Sequence, residues 1–214
     1  MKIRTTVEKV STWAELKVLS EAGKLGEVLK SGDNIPVMLK NGEEVSFDIG
    51  KDENGKIYFV MHNCLKGSKP MNGDCTNKGG WEESDMRRYL NEEVIKLLPD
   101  ELRKMIKPTK IVQICDGIKR ETEDKLFLLS RAQVFGKDEW YKAIDPDDSP
   151  IDIFESSRRR VKKIDDDGTL AHWCWWLRSP SSSDSGTFCL VRTDGTVYYI
   201  SASYWYGVAP AFCI

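Results

Sequence analysis

The sequence predicts an α+β fold, on three observations. Two stretches carry apolar residues at helical spacing behind a good capping residue. Three Asn-Gly or Asp-Gly dipeptides (Asn41-Gly42, Asn54-Gly55, Asp194-Gly195) sit next to strand-like runs. The chain also changes character near residue 173, from an ordinary charged globular sequence to one that is aromatic, serine-rich and poor in charge.

Thr12 can cap a helix from Trp13 to about Lys30, with Gly23 and Gly26 weakening its middle. Ile35–Leu39 and Val45–Ile49 flank Asn41-Gly42 as a β-hairpin with a type I′ turn, and Asn54-Gly55 leads into a buried strand, 57–61. After a Gly- and Asn-rich loop, 67–80, Ser84 caps a second helix whose apolar face is Met86, Tyr89, Leu90, Val94, Leu97 and Leu98. Pro99 ends it and starts a short helix reaching Lys107. Residues 111–115 and 126–129 read as short strands and 136–172 mostly as loop. In the tail, 188–193 and 196–200 flank Asp194-Gly195 as another type I′ hairpin.

Composition excludes several function classes. The net charge of −2 argues against a global grip on nucleic acid. No apolar run is long enough for a membrane-spanning helix, and residues 1–9 lack the apolar stretch of a secretory signal, so a cytoplasmic or virion-associated protein is expected. The six cysteines form no Cys-x-x-Cys pair and read as reduced, buried thiols. His62-x-Cys64 and His172-x-Cys174 do not have zinc-ligand spacing, so no metal or other cofactor is expected. The basic run 158–163 is bracketed by aspartates and reads as a solvated charged loop.

Residues 173–214 hold ten of the 21 aromatic residues and seven serines but only four of the 66 charged residues. Trp173, Trp175, Trp176, Phe212 and Ile214 fit a core. The stretches 181–187 and 201–207 do not, because small polar residues mixed with Tyr and Trp cannot all pack inside. They also lack the Lys and Glu of ordinary solvated loops. That mixture is the composition of a paratope, where rings supply contact area and Ser and Gly supply adaptable hydrogen bonds.

Trp175-Trp176-Leu177-Arg178-Ser179-Pro180, followed by Gly207-Val208-Ala209-Pro210-Ala211-Phe212, resembles the C-terminal region of C-type-lectin-fold variable proteins, the targets of diversity-generating retroelements. Two further motifs resemble an uncharacterised gut-bacterial and phage family with the same ending. One is Trp81, Glu82, Ser84, Arg87, Leu90 and Asn91; the other is Asp124, Lys125, Phe127, Leu128, Leu129 and Ser130. Ala209 departs from the pattern, which usually has arginine there.

The resemblance implies one C-type-lectin-like domain over 1–214: two main helices, a small antiparallel sheet joining the termini and a loop-rich C-terminal half. Residues 1–80 match more loosely, and 173–214 would be the ligand-binding, diversified region. It implies a non-enzymatic binding protein. Its surface would combine Ser181, Ser183, Asp184, Ser185, Thr187, Phe188, Arg192, Tyr198, Ile200, Ser203, Tyr204, Trp205 and Tyr206. Trp175, Trp176, Arg178, Gly207 and Pro210 would hold the scaffold. The expected partner is a protein or cell-surface ligand, without nucleic acid or membrane insertion. Calcium is not expected, since the sugar-binding Glu-Pro-Asn and Gln-Pro-Asp motifs are missing. The alternatives are an oxidase-like enzyme on the same fold using Cys174, Cys189 or Cys213, and a structural phage component.

Overall fold

A computed structural model describes residues 12–136, 144–166 and 168–214. The sequence readings of residues 1–9, of 137–143 within the expected loop and of Asp167 in its acidic block lie outside these residues.

Thr12 caps α1 (Trp13–Glu21): its hydroxyl accepts from Glu15 N while the Glu15 carboxylate accepts from Thr12 N. The expected helix to Lys30 is broken at Gly23, which takes φ +69°, and resumes as α2 (Leu25–Val28). An antiparallel meander follows, β1 (Asn34–Met38), β2 (Glu44–Lys51) and β3 (Ile57–Met61). After α3 (Gly80–Glu83), Ser84 caps α4 (Asp85–Tyr89), its hydroxyl accepting from Arg87 N at 3.1 Å. That helix passes through a π-helical turn (Leu90–Val94) into α5 (Ile95–Leu97), and α6 (Asp100–Met105) starts after Pro99.

Next come β4 (Thr109–Cys115), β5 (Ile118–Asp124) and α7 (Arg131–Phe135). A 3-10 turn (Asp152–Phe154) and α8 (Ser157–Arg160) lead to the hairpin β6 (Lys162–Asp166) and β7 (Thr169–Trp173). The tail forms β8 (Trp175–Pro180), β9 (Thr187–Val191), β10 (Val197–Ser201) and β11 (Ala211–Phe212). The result is a mixed α/β protein of several small antiparallel sheets and few helices. One sheet runs β1-β2-β3-β11 and another β10-β9-β8, while β4-β5 and β6-β7 are two-stranded.

Four expectations change. The turns at Asn41-Gly42 and Asp194-Gly195, expected as type I′, are not, and the turn at Asn54-Gly55 shares their geometry. In each, three residues span the gap, glycine takes positive φ, and its N–H bonds the carbonyl three residues back: Gly42 to Leu39, Gly55 to Asp52 and Gly195 to Arg192. This is the longer turn-plus-bulge loop. A two-residue turn with both φ positive does occur at Asp116-Gly117, joining β4 to β5. Strand β5 escaped detection because its residues are mostly charged and exposed, with only Thr122 and Asp124 buried. Residues 126–129 are an extended buried segment making a single bridge, Phe127 to Ala211, rather than a strand. Finally, the expected loop region contains the β6–β7 hairpin.

The tail is stitched into the body. Residues 202–212 run back along 61–72: Met61 N bonds Pro210 O, Leu65 N bonds Val208 O, Lys69 and Tyr206 exchange both backbone bonds, and Met71 N bonds Ala202 O. Strand β11 adds to β3, and Phe212 stacks on Phe59 with centroids 4.9 Å apart. The closing motif is thus anchored by main-chain bonds, with a fully buried alanine at position 209.

Candidate binding surface

The scaffold residues lie inside, and most of their side-chain polar atoms find partners, Arg178 Nε being buried without a hydrogen-bond partner. Trp175 Nε1 donates to Arg160 O at 2.9 Å and Trp176 Nε1 to Lys69 O at 2.8 Å. Arg178 is almost fully buried; its guanidinium donates to Leu128 O, Gln133 Oε1 and the Asp148 carboxylate. Ser179 Oγ donates to Asp145, which also accepts from Gln113 Nε2. Burial pushes the Asp145 carboxyl up to about 6, against the opposing pull of the Arg178 charge. A Cβ on Gly207 would lie 2.5 Å from Cys64 Sγ and 3.1 Å from Cys174 O, so only glycine fits this close approach. Pro210 contributes the carbonyl that receives Met61 N.

The two other motifs meet one another. Asp124, buried, accepts from Trp81 Nε1 at 2.9 Å, Arg87 Nε at 2.8 Å and Thr122 Oγ1 at 2.7 Å. Asn91, on the π-helical turn, donates to Leu126 O and accepts from Lys125 N and Leu126 N. Gln113 links this cluster to the tail, since its Oε1 accepts from Trp81 N and its Nε2 donates to Arg178 O as well as to Asp145. All three motifs therefore join one polar lattice. Their spacing in sequence reflects a folding constraint, because each buried polar group needs a partner.

The expected surface divides into two adjoining parts. The first is the serine loop. Asn77, buried, donates from its amide to the carbonyls of Ser181, Asp184 and Thr187 at 2.8–3.0 Å, which holds the loop's main chain from beneath. Ser183, Asp184 and Ser185 are exposed, and Ser181 and Thr187 half-buried. Asp184 Oδ1 accepts from Gly186 N, and Ser201 Oγ donates to Cys75 Sγ and lies 3.0 Å from Ser203 Oγ.

The second part is aromatic. Tyr198, Tyr204 and Trp205 are 43%, 53% and 62% exposed. Tyr206 is half-buried, its ring edge-on to Trp176 at 5.2 Å. Burial raises the Tyr206 hydroxyl, and the charges of Cys174, Tyr204 and Tyr198 add to the shift. Arg192 is exposed, with its guanidinium 3.8 Å from the Tyr198 ring centroid, and Ile200 is half-buried.

One proposed surface residue is corrected. Phe188 has no exposed area and belongs to the core. It sits on β9, the central strand of its sheet, where 188–191 are buried on both faces. A continuous Phe-Cys-Leu-Val run signals such a strand better than alternation does. The reverse holds for Trp173, expected in the core but 38% exposed.

Sequence reasoning missed residues 73–75, which are exposed and adjoin the serine loop through Cys75. It also missed a groove of about 1260 Å³ between the β1–β2 and β6–β7 hairpins, lined by Met38, Val45, Cys64, Leu65, Tyr89 and Leu170. No local motif marks either feature; both arise from loops distant in sequence.

The basic run is not a simple solvated loop. Arg160 Nε donates to Val134 O and Phe154 O, and Lys162 is buried, its ammonium donating to the carbonyls of Met61 and His62. Burial lowers the Lys162 ammonium. His62 is exposed and pairs with Asp48. Among the described residues no group of three or more His, Cys, Asp or Glu is arranged to hold a metal ion, and no helix is long and apolar enough to cross a membrane. Burial raises the thiols of Cys64 to about 12, Cys115 and Cys213 to about 11, and also those of Cys174 and Cys189. A thiol raised in this way is a poor nucleophile at neutral pH.

The family model for a domain of unknown function, DUF6273, matches residues 54–214, and the chain belongs to that family. Its span takes in all three motifs and the whole candidate surface. No curated protein and no solved structure matches the chain.

Proposed function

We propose that this chain is a non-enzymatic binding protein of C-type-lectin-like architecture, whose C-terminal region presents a recognition surface to a protein or cell-surface ligand. The carrying observation is the division of labour around 181–187: Asn77 fastens the main chain from beneath while the side chains of 183–185 point out. The neighbouring exposed rings Tyr198, Tyr204 and Trp205 extend this into an apolar, hydrogen-bonding face of the kind that proteins use for contact. The return of β11 onto β3 and the looped C-terminal half support the lectin-like architecture. Surface variation of the retroelement type would act on side chains that the polar lattice does not use. The raised thiols weigh against a cysteine oxidase.

The test is a selection of binders from a random dodecapeptide display library, followed by Tyr198→Ala and Tyr204→Ala. Binders that weaken roughly tenfold or more on either substitution support the proposal. Binders indifferent to both place recognition elsewhere. At the native locus, the variable-protein reading expects a reverse transcriptase gene beside a near-copy of the final codons that differs mainly at adenines.

A further inference from the structure

We propose that Arg192 is the anchoring cation of this surface and that the partner is a polypeptide presenting an acidic side chain to it. The inference rests on the recognition-surface reading above and names the chemistry of its ligand.

The main chain of Arg192 is fixed by the turn that follows: its N–H bonds Thr196 O at 2.8 Å and its carbonyl accepts from Gly195 N at 2.9 Å. Val191 pairs with Val197, so Arg192 and Tyr198 are diagonal neighbours across the strands, and the guanidinium lies 3.8 Å from the ring centroid. Among the described residues, none accepts a hydrogen bond from that guanidinium. The near carboxylate, Asp194, accepts from Thr196 N and Thr196 Oγ1 through one oxygen and braces the turn. A guanidinium stacked on a ring is held in orientation, weakly hydrated, and presents a planar fork of N–H donors. Such a fork matches a carboxylate in bidentate geometry.

The surroundings decide the kind of anion. Exposed Tyr204 and half-buried Tyr206, in the loop that follows β10, offer ring area and phenol donors. Lys69, whose backbone pairs with that of Tyr206, is stacked on the Tyr89 ring at 4.2 Å. A guanidinium stacked on a ring, on a chain of net charge −2, suits an acidic residue flanked by apolar ones rather than a nucleic-acid backbone.

Random dodecapeptides are displayed and selected on the full chain, and the winning peptides are titrated against the parent, Arg192→Gln, Arg192→Lys and the double variant Tyr198→Ala/Tyr204→Ala. Far-UV circular dichroism verifies that each variant is folded. The proposal expects winners enriched in Asp and Glu that lose roughly tenfold or more on Arg192→Gln and recover part of that loss on Arg192→Lys. Winners that need Tyr198 and Tyr204 but carry no acid and ignore Arg192→Gln would overturn the anchor and leave the surface standing. Winners indifferent to every variant, such as occupants of the β1–β2/β6–β7 groove, would overturn both.

Discussion

Two polar regions of this protein use similar residue types to opposite ends. Around Asp124, Arg178 and Asp145 the charged and amide side chains are buried and bonded to one another. Around 181–206 most of the serines, Tyr198, Tyr204 and Arg192 lie at the surface, and apart from the bond of Ser201 to Cys75 the side-chain hydrogen bonds there are short-range. The difference teaches where stability resides. Removing a partner from the first region strands a buried polar group, whereas removing a side chain from the second exposes a little more surface to water.

The largest expected effect is therefore Arg178→Met. It leaves Asp145 and Asp148 without their guanidinium in the interior, and urea denaturation should register a loss of about 3–5 kcal/mol or failure to fold. Asp124→Asn comes next. It removes the charge that faces Arg87 and one acceptor shared by Trp81 and Thr122, with an expected cost of about 2–3 kcal/mol by the same assay.

The pH dependence sharpens the same contrast. The folded Asp145 carboxyl is raised above its unfolded value, so below the ordinary carboxylate range both states hold the proton. As pH rises towards the folded value of about 6, the unfolded chain ionises first and stability falls. Asp48 is lowered, desolvation being outweighed by His62, Lys162 and Asn34, so its contribution is lost only as pH drops below the carboxylate range. The urea midpoint should thus rise on going from about pH 7 to about pH 5.5, and Asp145→Asn should flatten that slope.

Smaller still is the effect at cysteines. Cys75 is exposed, and the other five are buried or half-buried. Iodoacetamide should modify Cys75 in the folded protein and reach the others only after unfolding. A second fast-reacting thiol would reopen the enzyme reading. Smallest of all, Tyr198→Ala and Tyr204→Ala should each change stability by less than about 0.5 kcal/mol.

The two regions also differ in how far the sequence announces them. Caps at Thr12, Ser84 and the apolar face of the helix after Ser84 are legible because they depend on neighbours a few residues away. The composition break at 173 is legible for the same reason. The turn geometry at Gly42, Gly55 and Gly195 is not, because an Asn-Gly or Asp-Gly pair serves both the two-residue and the three-residue loop, and strand register decides between them. Strand β5 was hidden by its charges and Phe188 by reliance on alternation. Asn77 was invisible as the brace of the serine loop, since its partners lie more than 100 residues away in the chain.

The central claim is that the outward side chains of the tail carry no part of the fold. It is tested most directly by one chain in which Ser181, Ser183, Ser185, Arg192, Tyr198, Tyr204 and Trp205 are all replaced by alanine, unfolded in urea beside the parent. The account predicts a single cooperative transition with an unfolding free energy within about 1–2 kcal/mol of the parent, the sum of small surface effects. A chain that loses its transition, or most of its stability, would show that these residues hold the scaffold together and would contradict the account.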